Sequence, residues 1–107
     1  MASGDITKVI EYDKIEVVLK WNVQVRKATL IMEEQADGSK KELTRTFNRY
    51  ILIPFDSTQD SDDKWTHTAT DLSSEDAKVK AIAEGAWSDS IKTEYKTWAE
   101  ANLPKSI

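Results

Sequence analysis

The fold is decided by residues 23–54, which read VQVRKATLIMEEQADGSKKELTRTFNRYILIP. Two runs of alternating apolar and polar residues flank Asp37-Gly38, and such alternation is typical of β-strands with one buried face. Asp and Gly both tolerate the positive φ angles of a two-residue type I′ turn. The stretch therefore predicts a β-hairpin that turns at Asp37-Gly38.

A strand register follows from this turn if Ala36 pairs with Ser39. The pairs that it predicts are Glu34 with Lys41, Met32 with Leu43, Leu30 with Arg45, Thr29 with Thr46, Ala28 with Phe47 and Arg26 with Arg49. The last pair opposes like charges, which is unfavourable. The apolar residues of the first strand also change from odd positions, up to Val25, to even positions from Ala28 onwards. We therefore predict a β-bulge near Arg26 and Lys27 that bends the sheet strongly.

The residues before this hairpin predict one long or bent strand that covers Ile6 to Glu11 and Lys14 to Trp21, with an interruption at Tyr12-Asp13. At Trp21-Asn22 the chain either reverses or continues as a strand. We favour the reversal because a strand of about 20 residues is much longer than usual. Pro54 has no backbone donor and should end the last strand.

The second half of the chain predicts a loop and then a helix. Residues 55–71 are rich in Asp, Ser and Thr without sustained periodicity, which indicates a long acidic loop, with Trp65 able to pin it to the core or to a neighbouring subunit. Ser73 as N-cap and apolar residues at three- and four-residue spacing predict one long helix over about 74–101. Gly85 and the residues 88–90 leave a kink, or two helices, as an alternative.

These elements predict a single domain over residues 1–107, with strands over about 6–54. The predicted class is α+β: a strongly bent antiparallel β-meander, forming a small and partly closed barrel-like sheet, followed by a long C-terminal helix. A chain of 107 residues with 39% hydrophobic content buries roughly two thirds of its unfolded surface, which suffices for one core.

Composition narrows the function classes. The chain has no Cys and no apolar run of the roughly 18 residues that a membrane span needs, and its first five residues are too short and polar for a signal peptide. We therefore expect a cytoplasmic protein without membrane contact. The net charge of −4 argues against a dedicated nucleic-acid binder, although residues 20–50 are net positive and residues 55–107 net negative.

No pattern in the sequence indicates catalysis. His67 is the only histidine, and we expect it to be exposed in the loop. The acidic residues Asp56, Asp60, Asp62 and Asp63 resemble a calcium loop, but Lys64 and Trp65 stand where an EF-hand needs an oxygen ligand and a glycine. Phosphate-binding loops and nucleophile elbows are absent. We predict no enzyme, cofactor, metal site or small-molecule substrate.

One group of residues has a chemistry suited to binding. It combines arginines with aromatic residues at Arg26, Arg45, Arg49, Phe47 and Tyr50. Arginines can bind phosphates while aromatic rings stack on unpaired bases, which predicts a nucleic-acid-binding patch. The alternative is that Arg45 and Arg49 lie along the edge of the core and pair with acidic residues of the same or another subunit.

Several stretches resemble small uncharacterised proteins of tailed phages of marine bacteria. They are DKIEVV (13–18), VQVRKAT (23–29), LTRTF (43–47), SEDA (74–77) and AWSD (86–89). The resemblance implies a virion or assembly component, virion-associated in a host cell, and no catalytic residue. The predicted architecture is also similar to Sm-like small barrels, which form rings and bind RNA. An Sm fold, however, places its helix before the strands, and the Sm sequence signatures are absent here.

Two functions are therefore predicted. The first is a structural or assembly protein, a homo-oligomer that self-associates through sheet edges and an aromatic helix face, because the four tryptophans (21, 65, 87 and 98) exceed what one helix on a small sheet can cover. The alternative is an Sm-like module that binds RNA through the basic and aromatic patch.

Overall fold

The computed structural model describes residues 4–104 and shows an α+β fold. Its elements in chain order are β1 (Ile6–Val18), β2 (Asn22–Glu34), β3 (Lys40–Leu52), β4 (Phe55–Gln59), β5 (Trp65–Ala69), α1 (Ala77–Ala86) and α2 (Asp89–Asn102). The first three strands form an antiparallel meander in the order β1-β2-β3, and β4 pairs with β5 in a separate hairpin. Within the described residues β1 does not pair with β3, so the sheet is open and the predicted partial closure into a barrel is not confirmed.

The predicted reversal between the first two strands is confirmed, but it lies earlier than the predicted Trp21-Asn22. β1 runs to Val18, which pairs with Asn22, so the turn lies at residues 19–21. Two non-glycine residues of this turn, Leu19 and Lys20, have positive φ angles of 55° and 75°. Left-handed backbone is unfavourable for residues with a Cβ atom, so this turn is held in a strained conformation.

The register of the predicted hairpin is confirmed in its middle and wrong near the turn. Arg26 pairs with Arg49, and the same alignment continues to Ile31. Beyond that point Leu43 is an extra residue in β3, so Met32 lies opposite Glu42. A bulge of this kind absorbs one residue of the connecting loop and shifts the pairing by one.

The turn itself is not the predicted type I′ turn at Asp37-Gly38. The Gly38 N–H donates to the Gln35 carbonyl at 3.0 Å, which makes Ala36 and Asp37 the central residues of the turn. Gly38 alone carries the positive φ, +87°. Asp37 instead accepts a hydrogen bond from the Ser39 N–H at 2.9 Å. The aspartate therefore stabilises the loop through its side chain, as Asx turns do.

The bulge predicted near Arg26 and Lys27 lies in the neighbouring strand. β2 pairs with β3 without interruption there, whereas Asp13 of β1 is the extra residue between the pairs Tyr12–Lys27 and Lys14–Arg26. The change from odd to even apolar positions in β2 has another cause. The buried residues at the start of β2 lie on one face of the sheet, and those in its middle lie on the other face. Val23 and Val25 are buried on the face against the helices, and Ala28 and Leu30 on the opposite face.

The predicted acidic loop over 55–71 is wrong, because two five-residue strands form a hairpin there. Phe55 at its start is buried, and alternate residues of both strands are partly covered. The Asp60 carboxylate accepts hydrogen bonds from the Asp62 and Lys64 N–H groups and closes the connecting turn. Threonines in alternate positions of β5 favour a strand, although their polarity hides the period in the sequence.

The predicted single helix is wrong, and the alternative of two helices is confirmed. α1 ends before Trp87, and Ser88 caps α2 by accepting a hydrogen bond from the Ile91 N–H at 3.3 Å. Asp76, not Ser73, is the N-cap of α1, because its carboxylate accepts from the Lys78 N–H at 3.0 Å. A second capping residue in the middle of the apolar pattern is what breaks the helix.

The molecule is far more elongated than a compact chain of its length. Its principal dimensions are 66 × 28 × 21 Å and its radius of gyration is 19.6 Å, where about 13 Å is usual for 107 residues. Both hydrophobic clusters lie at one end, where α1, α2 and the β4–β5 hairpin pack against the sheet. We call this end the base. The arm comprises residues 6–11, 27–34 and 40–48 with the turn between β2 and β3, and none of these residues belongs to either cluster.

Two glycine substitutions test the backbone assignments. We expect Gly38→Ala to lower the free energy of unfolding by about 1 kcal/mol, because its φ of +87° is strained for alanine. Gly85→Ala should raise it by about 0.5 to 1 kcal/mol, because alanine favours the interior of α1. A Cβ atom meets no atom within 4 Å at either position. Urea denaturation at equal protein concentration should give opposite signs, and equal signs would contradict the turn geometry.

Candidate functional site

The arm is a single layer of sheet in which Ala28 and Leu30 of the central strand are buried, while apolar residues of the flanking strands are exposed on both faces. Ile6 and Ile10 are 59% and 44% exposed on the face that meets the helices at the base, and Phe47 is 45% exposed on the opposite face. Of the four tryptophans, by contrast, only Trp98 is exposed. The exposed apolar surface therefore lies mainly on the sheet, and Trp98 of α2 adds an exposed aromatic residue of the helices.

Four of the five predicted nucleic-acid-binding residues share the face of the sheet opposite the helices. Arg26 pairs with Arg49, and Phe47 and Arg45 follow at alternate positions of β3. The Arg26 and Arg49 guanidinium carbons lie 4.5 and 5.9 Å from the centroid of the Phe47 ring. The structure thus brings these four together as a basic cluster around one aromatic ring.

Tyr50 lies on the other face and is not part of this cluster. Its ring packs against the core beneath α1, and its hydroxyl donates to Glu75 Oε1 at 2.6 Å. Burial and the Glu75 carboxylate both raise the pKa of Tyr50. A ring held between the sheet and Glu75 cannot stack on a base that approaches the arginine cluster.

Carboxylates neutralise two of the three arginines. The Asp13 carboxylate in the bulge of β1 accepts two hydrogen bonds from Arg26, at 3.0 and 2.8 Å, which lower the pKa of Asp13. Arg45 donates to Glu42 at 2.8 Å and holds the pKa of Glu42 below its usual value. Of the two arginines in the sequence-based alternative, Arg45 pairs with an acidic residue of the same chain, and within the described residues Arg49 does not.

Arg49 makes no ion pair with any residue between 4 and 104. Together with Arg26 and Lys14 it lines an open cavity of about 330 Å³. Like charges directly opposite each other across two strands repel. Asp13 already pairs with Arg26, and Glu16 with Lys14, so Arg49 is the cation of this cavity to which an added anion would bind.

His67 is not the exposed loop histidine that the sequence predicts. Its side chain is only 11% exposed and stacks on Trp65, with ring centroids 5.9 Å apart. Ser57 Oγ lies 2.6 Å from His67 Nδ1, and Glu100 Oε2 lies 2.8 Å from His67 Nε2. With its hydrogen on Nε2, the neutral ring accepts from Ser57 and donates to Glu100.

This order of hydroxyl, imidazole and carboxylate is that of serine hydrolases. Ser57 and His67, however, line none of the cavities of about 820, 330 and 270 Å³. The three side chains tie the β4–β5 hairpin to α2.

The acidic residues of the β4–β5 hairpin do not gather as metal ligands. Between residues 4 and 104 no three His, Asp or Glu side chains lie close enough together to hold a metal ion. Asp60 uses its carboxylate on the backbone of the turn. In the same part of the chain, neither helix has the length and apolar character to cross a membrane.

Comparisons of the chain with protein-family models, with curated proteins and with solved structures found no match.

Proposed function

We propose that this protein is a structural or assembly protein that acts by self-association through the faces of its arm. The observation that carries the proposal is an ordered three-stranded arm that extends beyond the core with exposed Ile6, Ile10 and Phe47. The eight residues of β2 in the arm span about 26 Å. A sheet is stable in water when at least one face packs on a second layer. A second copy supplies that layer most simply, because most soluble oligomers are homo-oligomers.

The faces of the arm suit this contact better than its edges. β3 begins with Lys40 and Lys41, and β1 carries the Asp13 bulge. Lysines and bulges on edge strands are devices that oppose the addition of another strand. Two sheets that stack face to face lie about 10 Å apart, and their side chains interdigitate. Ile10 is such a side chain on one face of the arm, and Phe47 on the other. The resemblance to small phage proteins would make the resulting assembly part of a virion.

Multi-angle light scattering at micromolar concentration tests the proposal. We expect the wild type to have a mass that is a multiple of its 12.2 kDa chain. The double variant Ile10→Lys/Phe47→Lys places a charge on each arm face and should have a lower mass. Val17→Lys changes an exposed apolar residue of the base and should keep the wild-type mass. A monomeric wild type, or equal masses for the wild type and the double variant, would refute association through the arm.

The alternative function, RNA binding, is supported by the uncompensated Arg49 beside the 330 Å³ cavity. In that case affinity for an unstructured oligonucleotide falls steeply with salt, because each bound phosphate releases counterions. Arg49→Glu should abolish binding and leave the oligomer mass unchanged, whereas Lys80→Glu on the exposed side of α1 should change neither the binding nor the mass. No binding at about 50 mM salt would remove this alternative, since electrostatic attraction is strong there.

A further inference from the structure

An open apolar groove lies at the base, at the end of the molecule opposite the tip of the arm. It has a volume of about 820 Å³ and runs between the β1–β2 turn and one side of α2. Its apolar lining consists of Leu19, Trp21, Ile53, Tyr95, Trp98 and Leu103. A groove of this size and composition is suited to bind apolar side chains of another molecule.

The floor of the groove is preformed. Trp21 stacks on Tyr95 with ring centroids 5.4 Å apart and an interplanar angle of 9°. The Trp98 ring lies 5.8 Å from both of the other rings at steep angles. Tyr95 is buried and therefore holds the three rings in place from the core side. Trp98 and Ile53 remain 41% and 37% exposed. Aromatic residues held rigidly in this way are the usual centres of protein–protein contacts.

The polar groups of the groove do not converge on a small ligand. Thr93 and Thr97 donate their hydroxyls to backbone carbonyls one turn earlier in α2, at 3.0 and 3.1 Å. Small-molecule sites need a few polar groups that point inward and orient the ligand. The groove therefore favours a purely apolar occupant.

Leu19 offers an occupant of this kind at the edge of the same groove. Its side chain is 75% exposed, the highest value among the large hydrophobic residues described. The strained turn, with positive φ at both Leu19 and Lys20, holds this leucine outside the core. Strained backbone persists where it serves a contact.

The charged residues beside the groove can pair with the same residues of a second copy. Lys20 Nζ lies 3.4 Å from both carboxylate oxygens of Glu94, and the two side chains are 63% and 48% exposed. Each molecule thus brings one cation and one anion to the rim. Around a two-fold axis, Lys20 of one copy faces Glu94 of the other, because residue i contacts j and j contacts i in such an interface.

We propose that this groove is a two-fold contact between copies, in which Leu19 of each molecule enters the groove of the other beside Trp98 and Ile53, with reciprocal Lys20–Glu94 pairs at the rim. We call it the base contact, and the association through the faces of the arm the arm contact. The base contact extends the proposed self-association and therefore rests on that proposal. Contacts at both ends of an elongated molecule join copies into a chain, whereas either contact alone gives a smaller species.

Light scattering on the full chain separates the two contacts. The arm double variant Ile10→Lys/Phe47→Lys retains the base contact, so we expect it to have twice the chain mass of 12.2 kDa. Adding Leu19→Asn should make it monomeric. Asparagine tolerates positive φ better than leucine does, so this change should leave the monomer at least as stable, which urea denaturation checks. If the arm double variant is monomeric, the proposed base contact is refuted, whereas the proposed arm contact is not.

A charge exchange gives a second readout in the arm double variant. Lys20→Glu alone brings carboxylates together across the axis and should shift the dimer to monomer, as should Glu94→Lys alone. The combination Lys20→Glu/Glu94→Lys should restore the dimer. If Leu19→Asn leaves a dimer, or if the combined exchange fails to restore one, the proposed contact is wrong. If Leu19→Asn alone makes the otherwise wild-type protein monomeric, the base contact is supported and association through the arm is refuted.

Discussion

Replacing Tyr95 by alanine is expected to lower the free energy of unfolding by about 3 to 5 kcal/mol, the usual loss for a large aromatic residue in a core. Tyr95 is 2% exposed and forms one buried cluster with Phe55 and Ala99. It also supports Trp21 through a stacked contact. Its removal therefore separates α2 from both the β4–β5 hairpin and the β1–β2 turn.

Tyr95→Phe is the control for this prediction. It keeps the ring and removes only the hydroxyl, which lies near Ser57 and Asp56, so we expect a loss of about 1 kcal/mol. Urea denaturation followed by tryptophan fluorescence measures both, at one fixed protein concentration because association stabilises the folded state. Similar small losses for the two variants would show that the ring does not join the elements.

Replacing Trp87 by alanine should cost a similar amount, about 3 to 5 kcal/mol. Trp87 is 6% exposed at the break between α1 and α2 and packs with Val23, Val25, Val79 and Ala83. Its indole Nε1–H donates to the Trp21 carbonyl at 2.8 Å. One side chain thus fills the main cluster and holds the strained turn that presents Leu19.

Trp87→Phe separates the two contributions. A phenyl ring keeps most of the packing but leaves the Trp21 carbonyl without its partner, so we expect an intermediate loss of about 1 to 3 kcal/mol. The variant should also weaken the base contact, because Leu19 and Trp21 belong to the same turn. Stability equal to that of the wild type would mean that the hydrogen bond contributes nothing, and the turn would need another explanation.

The candidate surfaces were predictable only in part. The sequence indicated self-association from a surplus of tryptophans, yet Trp87 is buried and the exposed large apolar groups of the arm are Ile6, Ile10, Leu43 and Phe47. It also indicated the arginine cluster but included Tyr50, which lies on the other face. Composition shows that large apolar groups are numerous and that residues 20–50 are net positive, but not which of these groups the helices cover.

The amino-acid sequence by itself determined the local features of this protein. Alternation and turn residues specify the β2–β3 pairing through Arg26 and Arg49, a reversal between β1 and β2, and the end of β3 before Pro54. Gly85 and residues 88–90 left the break in the helical region as an alternative to one helix. These features depend on neighbours along the chain or directly across a short turn, so the local pattern contains the information.

Only the tertiary structure decided which faces are buried and which distant residues meet. An alternating pattern assigns the residues of a strand to one face or the other but does not say where a second layer ends. In β2 this boundary separates Val23 and Val25, which lie below the helices, from the arm, which extends beyond the helices. Likewise Ser57, His67 and Glu100 meet because α2 packs on the hairpin. The groove exists for the same reason: it forms between a turn and a helix more than 70 residues apart, and no local pattern encodes such a contact.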